Sequence, residues 1–327
     1  GGDERPFADI LRLVERIAQA DGSAGWVASF APQTALYLAT LPLRALDEIY
    51  SDGPDTVVAG GLFPMQTAQV LPGGYLVDGQ WSFASGCLGA SWLGVGMSVE
   101  GQQGEGTTPL IAMLPASAVE IVPNWDVVGL KATASHDLKV VRQFVATEFT
   151  GRRGGTPLVE GALYRFPALC GAAFFHAVVA LGIARAALDD LRSIAIGKIS
   201  ISGAPRPADR GFVQLAVGKA EAELRSARAF FYEQVEVVWA AVKRGDVPTI
   251  DEKALARIAA SHAAEVGCAI TRTAFRLAGT TATRMSCSLQ RRMRDAAMIT
   301  QHAFTNEGNV ESGGRVLLGI EPPAGFP

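Results

Sequence analysis

A block over residues 54–155 differs in texture from the sequence on either side of it. From about Asp55, short runs of β-branched and aromatic residues such as TVVAGG, TAQVLPGGYLVDGQWSF and SWLGVGMSV follow one another, separated by Gly, Pro and Asp-Gly. No long helical pattern lies between these runs, which argues against an α/β fold. The block therefore predicts a β-barrel or β-sandwich domain.

Helical periodicity flanks this block on both sides. Residues 5–50 predict a first helix that stops at Gly22 and a second, more buried helix opened by Ser23. After the loop at 151–157 the helical period returns and stays. It predicts helices at 166–195, 208–244, 251–278 and 286–303. Their number is that of a four-helix bundle.

One stretch within this helical region, from Phe166 to Ala184, is long and apolar enough to suggest a membrane span. Pro167 and His176 lie inside it, however, and the helical pattern continues beyond it through ARAALDDLRS. A central helix that is buried on all sides has the same composition. We therefore interpret the stretch as a core helix and expect no membrane association.

Composition narrows the class of protein further. Of 327 residues, 49% are hydrophobic and 19% are charged, which excludes disorder as the main state. A net charge of −3 argues against a partner made of nucleic acid. The four cysteines are scattered without a CxxC pair, which indicates a reduced, cytoplasmic protein.

Several kinds of catalytic site are excluded by their missing motifs. No Glu is followed by His three residues later, and the chain has only four histidines, so we predict no metal centre. Neither GxSxG nor a GxGxxG or GxxxxGK[ST] nucleotide motif occurs. Ser135, His136 and Asp137 are adjacent and cannot face one another as a triad, so we interpret them as a polar loop.

Two segments remain as candidates for chemistry. In the first, Trp81-Ser-Phe-Ala-Ser85-Gly86, a strand meets a turn that carries a hydroxyl group, although an ordinary hairpin has the same pattern. The second is LQRRMRD, which ends in Arg294-Asp295 and is followed by His302. Taken alone, Arg294 and Asp295 indicate an ion pair at a helix end on the surface. Taken alone, His302 is more typical of a structural histidine.

Together, the helix–β–helix order and these motifs resemble the acyl-CoA dehydrogenase fold, and within it the branch of two-component flavin-dependent monooxygenases. The segments that carry the resemblance are ERIAQADGSAGWV, GGYLVDGQWSFASG, VVGLKATASHD and AGTTATRMSCSLQRRMRD. The resemblance implies an α+β protein with an N-terminal helical domain at 1–53, a middle β domain at 54–155 and a C-terminal helical bundle at 156–327. It also implies that an N-terminal portion is absent before Gly1.

One position separates the two branches of this fold. Common acyl-CoA dehydrogenases place a Glu base eight residues after the Asp of the Arg-Asp pair, and here that residue is Ala303. Alanine cannot remove a proton. The preceding residue, His302, matches the active-site histidine of the monooxygenase branch. Glu307, nearby, is interpreted as a loop residue. A dehydrogenase that oxidises acyl thioesters with a base elsewhere is the alternative, and a fold relative without enzyme activity is a third possibility.

The resemblance implies a mechanism as well. A separate reductase supplies reduced FMN or FAD, and O2 reacts with it to form a C4a-hydroperoxyflavin that oxygenates an aromatic or heteroaromatic small molecule. Donors of Phe83, Ala84 and Ser85 are expected beside the flavin, with Ser85 stabilising the peroxide. His302 is expected to donate a hydrogen bond or act as acid and base.

Two further expectations follow from the same resemblance. Gly279 and Thr280 match a flavin-contacting turn and are expected to reach the flavin of a neighbouring subunit in a homotetramer, a dimer of dimers. Phenol-hydroxylating relatives usually carry a His four residues after the Ser equivalent to Ser85, and here that residue is Gly89. This departure disfavours a phenolate substrate and favours a heteroaromatic or bulkier aromatic ring, or oxidation at N or S.

Overall fold

The computed structural model describes residues 4–100, 110–197 and 203–326. The expectation about a portion preceding Gly1 lies outside these residues. Helices come first: α1 (Phe7–Ala20), α2 (Gly22–Leu38) and α3 (Leu43–Ile49). The break between α1 and α2 falls where the sequence predicts it, but Ser23 does not cap α2. Asp21 does, because its extended backbone lets the carboxylate accept a hydrogen bond of 3.0 Å from the Ala24 amide.

The described strands form one sheet of seven, in the order β5-β6-β2-β1-β3-β4-β7. Their bounds are β1 (Val58–Leu71), β2 (Gly74–Trp81), β3 (Trp92–Val99), β4 (Leu110–Pro115), β5 (Glu120–Val122), β6 (Asp137–Ala146) and β7 (Thr150–Arg152). The long strand β1 pairs parallel to β3 and, at its end, antiparallel to β2. β1 thus joins the two halves of the sheet.

The sheet curves around one apolar core. Trp81 is fully buried in it, and its indole N–H donates a 2.6 Å hydrogen bond to the Gly96 carbonyl. Ala112 of β4 and Val140 of β6 belong to the same core, although three strands separate β4 from β6 in the sheet order. This curvature agrees with the predicted barrel or sandwich. A smaller core of Leu38, Leu41, Ala45 and Ile49 against the sheet attaches the N-terminal helices.

The C-terminal region is helical: α4 (Ala168–Gly197), α5 (Gly211–Arg244), α6 (Ile250–Ala278), α7 (Ser288–Ile299) and α8 (Glu307–Leu317). Helix α4 is the apolar stretch of the sequence. It packs against α1, α2, α6 and α7, and 83% of its most apolar window is buried. The core-helix interpretation of this stretch is confirmed.

The end of the bundle differs from the prediction. The helix predicted at 286–303 ends at Ile299, and the Thr305 hydroxyl donates a 2.5 Å hydrogen bond back to the Ile299 carbonyl. His302 therefore lies in the turn between α7 and α8 rather than on a helix. Glu307, predicted in a loop, is the first residue of α8. Helix α8 packs on α6 and adds to the predicted four.

Candidate active site

A cluster of aromatic rings lies where α2, α4 and the turn after α7 meet. Its members are Trp26 and Phe30 from α2, His176 from α4, and His302 and Phe304 from the turn. Trp26 and Phe30 share one face of α2 because they are four residues apart. The centroid of the Trp26 ring lies 4.6 Å from that of His176 and 5.4 Å from that of His302, and both pairs are edge to face. Rings from three elements thus enclose the two histidines.

The rings of His176 and His302 are stacked, with centroids 4.2 Å apart and planes 21° apart. The Nδ1 of His176 lies 2.5 Å from the Ala172 carbonyl oxygen, so this nitrogen carries the proton and donates it. The Nε2 of His176 is then a bare acceptor. It is buried and has no hydrogen-bond partner among the described residues. A buried acceptor without a partner costs free energy until a donor reaches it.

His302 has the opposite tautomer. Its Nδ1 accepts a hydrogen bond of 3.3 Å from the Phe304 amide, which leaves the proton on Nε2. Burial lowers the pKa of His302 to about 4, with the positive charge of Arg257 contributing to this decrease. Burial also holds the pKa of His176 well below its ordinary value, with the neighbouring His302 contributing. At neutral pH the pair is uncharged, and it offers one acceptor from His176 and one donor from His302.

Ser85 lies at the start of a chain of hydroxyl groups below this cluster. Its Oγ accepts a 3.1 Å hydrogen bond from the Trp26 indole N–H. From Ser85 the chain runs 2.7 Å to Ser135 and a further 2.7 Å to Thr133, whose hydroxyl donates to the Leu130 carbonyl at 2.8 Å. Because the two ends are a donor and an acceptor, each hydroxyl must donate toward Leu130. The Ser85 proton therefore points to Ser135.

The turn at Phe83-Ala84-Ser85 uses most of its hydrogen-bond donors within the protein. The Ala84 amide donates to the His136 carbonyl at 3.1 Å, and the Ser85 amide to the Phe83 carbonyl at 3.0 Å. Both donors are therefore used within the chain, as is the Ser85 hydroxyl. Phe83 differs: it has a left-handed backbone (φ 65°), and its ring is 67% exposed, edge-on to Trp125 at 6.1 Å.

Arg294 and Asp295 hold the loop that carries this hydroxyl chain against α7. The buried Asp295 carboxylate accepts a 2.6 Å hydrogen bond from the Leu130 amide, and Arg294 donates a 2.6 Å hydrogen bond to the Val128 carbonyl. The predicted surface ion pair is wrong, because both side chains bond to the loop instead of each other. Glycine is required at position 129, between Val128 and Leu130, because a Cβ there would lie 2.4 Å from the Arg294 carbonyl oxygen.

The segment Ser135-His136-Asp137 is the polar loop that the sequence predicts. The Nδ1 of His136 accepts hydrogen bonds from the Asn124 and Trp125 amides at 3.1 and 3.0 Å. Asp137 accepts a 2.8 Å hydrogen bond from the Gln80 side chain. These bonds fold the loop at 123–136 against the start of β6 and leave no triad.

Gly279 and Thr280 are not brought to this cluster within one chain. They are exposed in the turn after α6, where Gly279 has a positive φ of 62°. That turn adjoins the beginning of α7, whereas His302 follows its end. The 12 residues of α7 span about 18 Å.

The motifs do not reveal four members of the ring cluster, namely Trp26, Phe30, His176 and Phe304. Trp26 is part of the segment ERIAQADGSAGWV, but nothing local distinguishes it from a core tryptophan. His176 is the one basic side chain in an otherwise apolar run, and this is the signal that could have found it. A lone polar residue that interrupts such a run requires a partner.

Exposed apolar side chains lie on the two loops that carry the hydroxyl chain. Phe83, Leu88 and Val128 expose large apolar side chains on the two loops that carry Ser85 and Ser135. These loops are joined by hydrogen bonds, including one from the Gly86 amide to the Thr133 carbonyl. Exposed apolar side chains of this kind offer a surface against which an isoalloxazine ring could pack.

Comparison with known proteins agrees with this fold. Residues 174–307 match the family model of the acyl-CoA dehydrogenase C-terminal domain. The chain is 44% identical to an indole-3-acetate monooxygenase of Pseudomonas putida, over 100% of this chain and 83% of that protein. It is 27% identical to the oxygenase component of an FADH2-dependent resorcinol hydroxylase of Rhizobium sp., over 98% and 83% of the two chains.

A solved structure shows the same architecture. The HsaA monooxygenase of M. tuberculosis superposes with a TM-score of 0.89 at 26% identity, covering 98% of this chain and 85% of that one. The likeness includes the helices, the sheet and the bundle that carry the described site. The chain therefore belongs to the flavin-dependent monooxygenases of the acyl-CoA dehydrogenase fold.

Proposed function

We propose that this protein is the oxygenase component of a two-component system and that it oxygenates indole-3-acetate or a closely related aromatic compound. The observation that carries the proposal is the stacked pair of His176 and His302, which places one bare acceptor and one N–H donor inside an aromatic enclosure. The name of the relative at 44% identity supports an indole-type substrate. Reduced FMN or FAD, delivered by a partner reductase, supplies the electrons that activate O2.

His176 orients the substrate ring in this proposal. An indole carries one ring N–H donor, and the Nε2 of His176 is the buried acceptor that lacks a donor. Because Ala172 holds the other ring nitrogen protonated, His176 cannot switch to a donor without losing that bond. The apolar rings of Trp26, Phe30 and Phe304 pack against the substrate and exclude water.

His302 acts on the oxygen in this proposal. Its Nε2–H donates a hydrogen bond to an oxygen atom that gains negative charge during the transfer. With a pKa of about 4 the ring is neutral at pH 7, so it acts as a hydrogen-bond donor rather than as an imidazolium acid.

Ser85 positions the enclosure, because its hydroxyl accepts the Trp26 N–H and fixes the plane of that ring. The flavin contacts the Phe83-Ala84-Ser85 turn through the exposed Phe83 side. Gly279 and Thr280 contact the flavin of a neighbouring subunit in this proposal, which is supported by their separation from His302 by the length of α7. This contact requires at least two subunits; we propose the homotetramer that the family resemblance implies, and we place the enzyme in the cytoplasm.

The alternative of an acyl thioester dehydrogenase lacks its base. Ala303 is exposed in the turn after α7, and Glu307 is exposed at the first position of α8. Neither residue is part of the ring cluster. The relatives named as monooxygenases favour oxygenation as well.

An isotope experiment tests the proposal. The protein is mixed anaerobically with reduced FMN or FAD and indole-3-acetate, then with 18O2, and the products are examined by mass spectrometry. We expect a product that contains one 18O atom. Absence of the label in every product, together with oxidation of an acyl-CoA under the same conditions, would contradict the proposal. Protein that has been heat-denatured is the control for reactions of free flavin.

A further inference from the structure

Two guanidinium groups lie against the same aromatic ring at the edge of the ring cluster. Arg257 of α6 is 4% exposed, and its guanidinium carbon lies 5.6 Å from the Phe304 ring centroid. Arg153 follows β7 directly and is half-buried, with its guanidinium carbon 5.5 Å from the same centroid. Phe304 in turn contacts the rings of His302 and His176 at 5.2 and 5.6 Å. The two cations are thus one ring away from the histidine pair.

Neither arginine has an acidic partner within the described ranges. Arg257 donates to the Leu169 carbonyl and to the Asn309 side-chain oxygen, both neutral, and its buried Nε has no partner there. Arg153 contacts the rings of Phe63 and Phe304. Other arginines of the chain, such as Arg228 with Glu15 and Arg292 with Asp190, form short ion pairs. Arg153 and Arg257 differ from these arginines because they face Phe304 without a carboxylate partner among the described residues.

A buried cation without a counter-charge is unfavourable, and two that face the same ring repel each other. Burial and the charge of Arg153 lower the pKa of Arg257 to about 10, while the Cys170 thiol acts in the opposite direction. Burial lowers the pKa of Arg153 as well. Both groups remain charged at pH 7. The site therefore holds two positive charges and two neutral histidines. A bound anion would compensate part of this positive charge.

We propose that Arg153 and Arg257 form the subsite for the carboxylate of an aromatic acid substrate. The inference rests on the proposed function, because it places the aromatic ring of that acid at His176 and His302. A short carboxylated arm on the ring reaches past Phe304 to the guanidinium groups, where a fork of N–H donors binds a carboxylate with two hydrogen bonds. The subsite makes the enzyme selective for acids over neutral aromatics of the same size.

The first test uses the unaltered protein with three substrates: indole-3-acetate, indole-3-acetamide and indole. The amide has the size of the acid without its charge. We expect the KM for the amide to exceed that for the acid by about tenfold or more, which is the loss expected when a charge-assisted hydrogen bond is replaced. Equal KM values for the acid and the amide would overturn the proposal.

The second test uses Arg153→Gln and Arg257→Gln, with Arg272→Gln as the matched control on the exposed side of α6. We expect each of the first two variants to raise the KM for indole-3-acetate about tenfold and to leave the KM for indole within twofold. The control should change neither value. Arg153→Gln keeps the test valid if Arg257→Gln fails to fold, because Arg153 makes no hydrogen bond within the described residues.

The flavin is the other possible ligand of the two arginines. Anaerobic titration with reduced flavin measures whether either substitution weakens flavin binding. If either substitution weakens flavin binding and affects the acid and indole equally, the arginines serve the flavin and the proposal is wrong. If no aromatic compound yields an oxygenated product with the unaltered protein, the proposed function fails instead. The two failures are therefore distinguishable.

Discussion

At the scale of single residues, the site depends on which nitrogen of each histidine carries the proton. His176 and His302 are chemically identical side chains in stacked contact, yet the Ala172 carbonyl and the Phe304 amide fix them in opposite tautomers. Their burial keeps both rings neutral, because a charged ring would lose its hydration and face the buried Arg257. A donor and an acceptor therefore lie side by side without a net charge.

Replacing His302 tests the donor that it provides. His302→Ala is expected to lower the amount of oxygenated product per flavin oxidised by about tenfold to a hundredfold, since one hydrogen-bond donor to a developing charge is lost. His302→Gln, which keeps an N–H donor, should recover part of the yield. Reduced-flavin binding should be unchanged in both. His262→Ala, at an exposed position of α6, is the control. An unchanged yield for His302→Ala would remove His302 from the mechanism.

The low pKa of His302 also predicts how stability depends on pH. Between pH 6.5 and pH 4 the unfolded chain binds a proton at this residue and the folded protein does not. The free energy of unfolding should therefore decrease as pH falls through this range, with His302 accounting for on the order of 3 kcal/mol. Urea unfolding of the protein and of His302→Gln at several pH values measures this. Identical slopes in the two proteins would contradict the assigned pKa.

At the scale of elements, the decisive contact joins the loop at 123–136 to helix α7. Asp295 and Arg294 bond to the backbone of this loop, and the loop carries Thr133 and Ser135 to the hydroxyl of Ser85. Ser85 then bonds to Trp26 on α2. The bundle, the sheet and the N-terminal helices are thus connected through one series of hydrogen bonds beside the site.

Two glycine substitutions test this connection. Gly129→Ala places a Cβ 2.4 Å from the Arg294 carbonyl oxygen, so the loop must separate from α7. We expect a loss of about 1–3 kcal/mol in the free energy of unfolding, typical of overpacking, together with a lower product yield. Gly211→Ala, at the first position of α5 where nothing lies within 4 Å of the added Cβ, is the matched control and should affect neither quantity. Equal stability of the two variants would mean that the loop is not held as described.

The same contacts show what the sequence can and cannot predict. The helix–β–helix order and the buried helix α4 follow from periodicity and composition, which are local properties. The partner of Asp295 does not, because the Leu130 amide lies 165 residues away in the chain. The periodicity predicts a helix that continues to residue 303, whereas α7 ends at Ile299. Thr305, which lies after the helix, donates a hydrogen bond to the Ile299 carbonyl there. The His176 tautomer likewise depends on packing that no motif records.

At the scale of the whole molecule, the exposed turn at Gly279 and Thr280 predicts assembly. If this turn contacts a neighbour's flavin, the protein in solution should be an oligomer, with the mass of a tetramer for the proposed dimer of dimers, and Thr280→Ala should weaken flavin binding without altering that mass. Sedimentation and anaerobic titration measure the two quantities. A monomer that binds reduced flavin with full affinity would contradict the proposed role of the turn.

The most direct test of oxygenase function is a stopped-flow experiment under anaerobic conditions. The protein with bound reduced FMN or FAD is mixed with O2, and the flavin spectrum is followed with and without indole-3-acetate. We predict a transient absorbance, distinct from reduced and oxidised flavin, that outlasts the one seen with free flavin and decays faster with substrate. Direct conversion to oxidised flavin at the rate of free flavin, unaffected by indole-3-acetate, would contradict the account.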